Sequence, residues 1–148
     1  MNSTGFTHTA RRYRIRIGLG FVILGLLIFI LGIDPQVFNL DRSPMVGFIQ
    51  IAVFLVGLAM ICLGGYLVLN TLWNGTEKTI AADIGYRLVA TGYVVAVASG
   101  MADVFGFGNQ PFPEIPYFGP WQAMGVMAGE IIIALGFLLL IPFPRRSA

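Results

Sequence analysis

Four apolar runs, each long enough to cross a lipid bilayer, divide this sequence of 148 residues. A transmembrane helix needs roughly 17–25 residues, because each residue advances the helix by about 1.5 Å across a hydrocarbon core of about 30 Å. The runs, which contain few charged residues, are 17–33, 45–69, 84–104 and 121–141. The sequence therefore predicts an all-α integral membrane protein, a single membrane domain built as a bundle of four transmembrane helices.

The composition favours the same fold class. Hydrophobic residues make up 57% of the chain and charged residues 11%, whereas about 25% of the residues in soluble domains are charged. Lipid-facing positions should be apolar, so a bilayer removes the need for a polar surface. The net charge of +2 comes from cations that flank the apolar runs and form no basic stripe. We therefore expect a lipid bilayer, and no nucleic acid, as a partner.

The first apolar run admits a second interpretation, a cleaved signal peptide, because several arginines precede it. Two features favour a retained helix instead. The run 17–33 is longer than the usual apolar core of a signal peptide, about 7–15 residues. The residues that follow it, Asp34, Pro35 and Gln36, do not form a small-residue cleavage site.

The cations also predict an orientation, with both termini in the cytoplasm of a bacterial cell. The predicted cytoplasmic segments are 1–16, 70–83 and 142–148, and the predicted outer loops are 34–44 and 105–120. The cytoplasmic side then receives seven cations, Arg11, Arg12, Arg14, Arg16, Lys78, Arg145 and Arg146. The outer side receives only Arg42. This asymmetry agrees with the positive-inside rule and predicts the bacterial cytoplasmic membrane as the location.

Small residues recur at helical spacing in all four runs, and such residues let transmembrane helices approach closely. The predicted packing residues are Gly18, Gly25, Gly32, Gly57, Gly64, Gly92, Ala96, Gly100, Gly125, Gly129 and Gly136, with Gly85 and Ser99 on a nearby stripe. The spacing leaves open whether these seams meet within one chain or between chains. The spacing also suggests that the chain consists of two repeated hairpins, although alignment of the two halves gives little further sequence identity.

Glu130 is the one acid near the middle of a predicted span. A charged side chain there costs roughly 2.5–3.5 kcal/mol on insertion scales, so it should face protein or water, be neutral, or be paired. One interpretation is a neutral acid that joins two helices, and the other is a proton or cation site. Arg87 is a candidate partner, but Asp83 lies four residues before it on the same helical face, and a local Asp83–Arg87 pair is the favoured alternative.

The predicted outer loop 105–120 is rich in aromatic residues and prolines. Its predicted interface residues are Phe107, Phe112, Tyr117 and Phe118, with Trp121 at the start of the fourth run. Aromatic residues prefer the membrane interface and also dominate protein–protein hot spots. Lipid headgroups, a partner subunit and a quinone or other hydrophobic cofactor are the alternatives, in that order. Bound lipid is expected, and no cofactor or metal is specifically predicted.

No catalytic constellation occurs in the sequence. The only histidine, His8, and the only cysteine, Cys62, lie far apart along the chain, and neither a phosphate-binding nor a zinc-protease motif is present. We therefore expect a non-enzyme. The favoured function is a small accessory or structural subunit of a larger membrane protein complex, in a hetero- or homo-oligomer, packing through glycine seams and the aromatic outer loop. The alternative is a homo-oligomeric channel or transporter that uses Glu130.

Overall fold

The computed structural model describes residues 3–34, 47–73, 75–107 and 118–142 of the chain. These residues form four α-helices, α1 (Ser3–Ile33), α2 (Phe48–Leu72), α3 (Ile80–Gly100) and α4 (Pro120–Leu140). Each is long and apolar enough to cross a membrane, by length and composition. The prediction of an all-helical chain with four candidate membrane spans is confirmed.

The helices do not begin and end where the apolar runs do. Helix α1 has 31 residues and is therefore about 46 Å long, which exceeds a hydrocarbon core of about 30 Å. It includes most of the basic segment predicted as a tail, 1–16. Helix α3 begins at Ile80 because Thr79 caps it, its hydroxyl accepting a hydrogen bond from the Ala82 amide at 3.2 Å. Hydropathy therefore locates the apolar part of a helix, whereas the capping residue determines where the helix begins.

Helices α1 and α2 form an antiparallel hairpin along a seam of glycines. A Cβ atom added to Gly25 would lie 2.8 Å from the carbonyl oxygen of Gly57. A Cβ atom added to Gly64 would lie 2.6 Å from the carbonyl oxygen of Gly18. The two backbones are thus in direct contact at both levels, as glycine seams allow in membranes.

Helices α3 and α4 form a second hairpin of the same kind. A Cβ atom added to Gly129 would lie 2.6 Å from the carbonyl oxygen of Gly92, and one added to Gly136 would lie 2.8 Å from that of Gly85. Ser99 continues the α3 side of this seam and packs against Gly125. The predicted seams therefore meet within one chain, which answers the question that the spacing left open.

The two hairpins are structural repeats. Gly18 and Gly25 of α1 correspond to Gly85 and Gly92 of α3, each 67 positions later, and they make equivalent contacts. On the second helix of each hairpin, Gln50, Gly57 and Gly64 correspond to Gln122, Gly129 and Gly136, each 72 positions later. The backbone neighbours also agree, since a Cβ atom added to Gly64 would lie 2.8 Å from the Val22 amide nitrogen and one added to Gly136 would lie 2.8 Å from the Val89 amide nitrogen.

The two ends of the bundle differ in their side chains. The basic end is where α1 begins, with Arg11, Arg12, Arg14 and Arg16, and where α2 and α4 end. The aromatic end is where α1 and α3 end and α4 begins, with Phe105, Phe107, Phe118 and Trp121. Neighbouring helices along the chain are antiparallel, so each hairpin opens toward the basic end.

Side chains near the basic end join the two hairpins. The rings of Tyr66 and Tyr86 stack with centroids 4.6 Å apart, and the Tyr66 hydroxyl donates a hydrogen bond to the Tyr86 carbonyl at 2.8 Å. The buried indole of Trp73 donates to the carbonyl of Leu140, the last residue of α4, at 2.9 Å. These contacts link α2 to both helices of the second hairpin.

Helix α1 stands apart from the second hairpin. Among the described residues, no Cα atom of α1 lies within 8 Å of a Cα atom of α3 or α4, whereas α2 reaches both. The two repeats would make equivalent α2–α3 and α4–α1 contacts in a two-fold bundle. Only the α2–α3 contact forms, so the bundle has an open side between α1 and α4.

Candidate functional site

A cavity of about 220 Å³ lies at the open side of the bundle, toward the aromatic end. Its walls come from the end of α1, from α2 and from the first half of α4. The lining residues are Gly32, Ile33, Phe54, Phe118, Ala123, Val126, Met127 and Glu130. Glu130 is the only charged residue among them. It lies ten positions after Pro120, about 15 Å along α4, and so marks the deep end of the cavity.

The repeat explains why this cavity exists. Leu55 and Leu58 of α2 correspond to Met127 and Glu130 of α4. The α2 residues are buried in the core, where the Tyr93 hydroxyl of α3 meets the Leu55 carbonyl at 3.5 Å. Their α4 counterparts face the gap that α1 leaves, so Met127 is exposed and Glu130 is half-buried. The acid occurs at the one copy of this position that the bundle does not cover.

Glu130 receives no hydrogen bond and no ion pair from the residues that the structure describes. Arg87 pairs instead with Asp83, at 3.1 Å, and the two side chains are 80% and 63% exposed. This confirms the local pair that the i,i+4 spacing favours, and it excludes Arg87 as the partner of Glu130 in this arrangement.

The aromatic end carries large exposed side chains. Phe107 is 83% exposed and Trp121 75%, and the ring of Phe105 lies 6.4 Å from that of Phe107. Phe118 differs from these, because it packs against the core and lines the cavity. The predicted interface residues Phe112 and Tyr117 lie outside the described residues. We call Phe105, Phe107 and Trp121 the aromatic surface.

Part of the site was predictable and part was not. The position of Glu130 near the middle of a span follows from the sequence, and so does its need for a partner. The lining residues Phe54, Ala123 and Met127 were not predicted, because apolar residues in a membrane span carry no signal of a cavity. One sequence signal could have helped, namely the glutamine and glycine spacing that α2 and α4 share. It aligns the two hairpins and makes Glu130 the equivalent of Leu58.

Metal coordination has no support in the described part of the chain, where no three histidine, cysteine, aspartate or glutamate side chains cluster. The fold and the site together define a class, a four-helix chain with candidate membrane spans and one acid in a lateral cavity. Comparison of the chain with protein-family models, with curated proteins and with solved structures gives no match.

Proposed function

We propose that this chain is a small accessory subunit of a larger membrane protein complex and that it docks through the aromatic surface. The observation that supports this is the exposure of Phe105, Phe107 and Trp121 at one end of the bundle. Large aromatic side chains are enriched among the residues that contribute most to binding in protein interfaces. The glycine seams already pack helices against each other within the chain, so the aromatic surface is the better candidate for contact with a partner subunit.

A matched pair of substitutions tests this proposal. Phe107 at the aromatic end and Ile80 at the basic end are both 83% exposed, so each can be replaced by serine with little effect on folding. If the chain docks through the aromatic surface, Phe107→Ser shifts it from a high-mass band to a low-mass band on native gels of mild-detergent extracts. Ile80→Ser should leave the high-mass band unchanged. A single low-mass band for the natural sequence would refute the proposal.

The proposed orientation places both termini on the cytoplasmic side of a bacterial plasma membrane. It is supported by the basic residues of α1, from Arg11 to Arg16, and by Lys78 between α2 and α3. Cations near span ends are retained on the cytoplasmic side. Alkaline phosphatase fused after residue 148 should be inactive and a green fluorescent protein at the same place should be fluorescent. The opposite pair of results would reverse the orientation.

A second candidate function is a homo-oligomeric channel or transporter that uses Glu130. The observation that favours it is the cavity, which brings an acid near the middle of α4 into contact with a lateral opening. Four helices are few for a monomeric pore, so a path would require several copies. Proton or cation flux into liposomes, lost on Glu130→Gln and kept on Asp83→Asn, would support this function. Absence of flux for all common ions would reject the channel or transporter, and the subunit proposal would then be the one that remains.

A further inference from the structure

We infer that the cavity between α1 and α4 binds a small hydrophobic amine, whose ammonium group pairs with the carboxylate of Glu130. This site goes beyond the subunit role, since it lies apart from Phe107 and needs no partner subunit. It also requires no transport cycle, because binding alone satisfies it. Four properties of the cavity support the inference, namely its charge, its size, its lining and its access.

The charge of the site selects a cation. Glu130 is the only charged residue that lines the cavity, and no described side chain neutralises it. An unpaired carboxylate in a low-dielectric region is unfavourable, whereas an N–H donor that carries a positive charge forms a short, strong hydrogen bond with it. An ammonium group supplies both the charge and the donor. The resulting ion pair has no net charge and is tolerated within the membrane.

The size of the site selects a small molecule. The cavity volume is about 220 Å³, compared with about 150 Å³ for an engineered protein cavity that binds benzene. One ring with a short aminoalkyl arm fits this volume. A transmembrane helix, with a diameter of about 10 Å including side chains, does not fit. The cavity therefore favours a small ligand over a partner helix.

The lining and the access select a molecule that is soluble in lipid. The walls other than Glu130 are apolar or glycine, with Phe54 and Phe118 providing ring faces. Aromatic faces also attract cations and pack against other rings. The opening lies between α1 and α4, which do not contact each other among the described residues. A hydrophobic amine dissolved in the bilayer can enter from the side, with its ring against Phe54 and its nitrogen toward Glu130.

The test uses the full chain in lipid nanodiscs, with 4-fluorobenzylamine as the probe and fluorine NMR as the readout. We expect saturable binding above the signal of empty nanodiscs. The neutral analogue 4-fluorobenzyl alcohol should bind at least tenfold more weakly, because it cannot form the ion pair. Equal binding of the amine and the alcohol would overturn the inference, since it would identify a purely apolar cavity that an acyl chain fills equally well.

Two pairs of variants locate the site. Glu130→Gln should weaken amine binding at least tenfold, whereas Asp83→Asn removes an exposed acid elsewhere and should leave binding unchanged. Ala123→Phe places a ring in the cavity and should abolish binding. Ala128→Phe adds the same ring to an exposed position of α4 outside the cavity lining and should not. Full binding in Glu130→Gln or Ala123→Phe, or non-saturable partition in the natural chain, would refute the site. If Glu130→Gln fails to fold, the comparison of Ala123→Phe with Ala128→Phe still tests whether the amine binds in the cavity.

The failure of this inference can be separated from the failure of the subunit proposal. Amine binding is measured on the isolated chain, and assembly is measured in native extracts. Phe107→Ser should disrupt assembly while leaving the amine affinity unchanged. Loss of amine binding in Phe107→Ser would count against the inference, because Phe107 does not line the cavity.

Discussion

Gly25 of α1 and Gly57 of α2 are so close that a Cβ atom added to either would lie 2.8 Å from the carbonyl oxygen of the other. The relationship is reciprocal, so the two backbones touch at this level without any side chain between them. Close backbone contact lets dispersion forces and weak Cα–H···O contacts act where hydrophobicity cannot, because lipid is as apolar as the helices. At this level the first hairpin therefore depends on two small residues rather than on large apolar ones.

The first prediction concerns these two glycines. Gly25→Ala should lower the free energy of unfolding by about 1–3 kcal/mol, because the added methyl group forces the helices apart. Gly20 lies on the same helix with nothing within 4 Å of an added Cβ atom, so Gly20→Ala should be neutral or slightly stabilising. Unfolding in mixed detergent micelles, followed by circular dichroism, measures both. Similar effects of the two substitutions would show that the seam is not closely packed.

The second prediction concerns the two repeats. Gly57 and Gly129 occupy equivalent positions in separate hairpins and contact different helices. Distant sites that share no partners have additive effects, within about 0.3–0.5 kcal/mol. The double variant Gly57→Ala, Gly129→Ala should therefore lose stability equal to the sum of the single losses. A coupling energy above about 1 kcal/mol would mean that the hairpins are not independent packing units.

The third prediction concerns the junction between the hairpins. Trp73→Phe removes the indole N–H that satisfies the carbonyl of Leu140, a helix-terminal acceptor with no partner inside its own helix. A buried acceptor left unsatisfied costs about 1–3 kcal/mol. Trp121 is the natural control, because it is the only other tryptophan and is 75% exposed. Trp121→Phe should change the free energy of unfolding by less than about 0.5 kcal/mol, and equal losses in both variants would contradict the assigned hydrogen bond.

The fourth prediction concerns the ion pair of α3. Asp83 and Arg87 are largely exposed, and exposed i,i+4 pairs contribute about 0.3–0.5 kcal/mol. A double-mutant cycle with Asp83→Asn and Arg87→Gln should give a coupling energy in that range that decreases as salt is added. A coupling energy several times larger would mean that the pair is buried in the folded chain. The same cycle with Arg87 and Glu130 should give no coupling.

The helices themselves follow from local patterns in the sequence. Apolar length predicts the four spans, and the i,i+4 spacing predicts the pairing of Asp83 with Arg87. The bounds of α3 were less accurate, since the predicted run ends at residue 104 whereas the helix ends at Gly100. The residues that follow, from Met101 to Gly106, are apolar enough to extend the run but form turns. Hydropathy does not distinguish an apolar turn from an apolar helix.

The glycine seam was visible as spacing, but its partners were not. Small residues at heptad spacing show that another helix can approach one face of α1 closely. They do not identify which helix packs there. Only the structure pairs Gly25 with Gly57 and Gly92 with Gly129. It also places Gly100 against Ile51 and Leu55 of α2 as well as Val126 of α4, so this glycine serves the junction of the hairpins in addition to the second hairpin.

The sequence by itself determined that this chain forms four apolar helices, each with a face of small residues, because helix formation in a membrane depends on local hydropathy and backbone hydrogen bonding. The tertiary structure decided that α2 contacts both hairpins while α1 remains apart from α4. That choice depends on side chains distant in sequence, among them Tyr66 with Tyr86 and Trp73 with Leu140. It leaves Glu130 at an open cavity. If α4 had packed against α1 as α2 packs against α3, the same acid would have been enclosed.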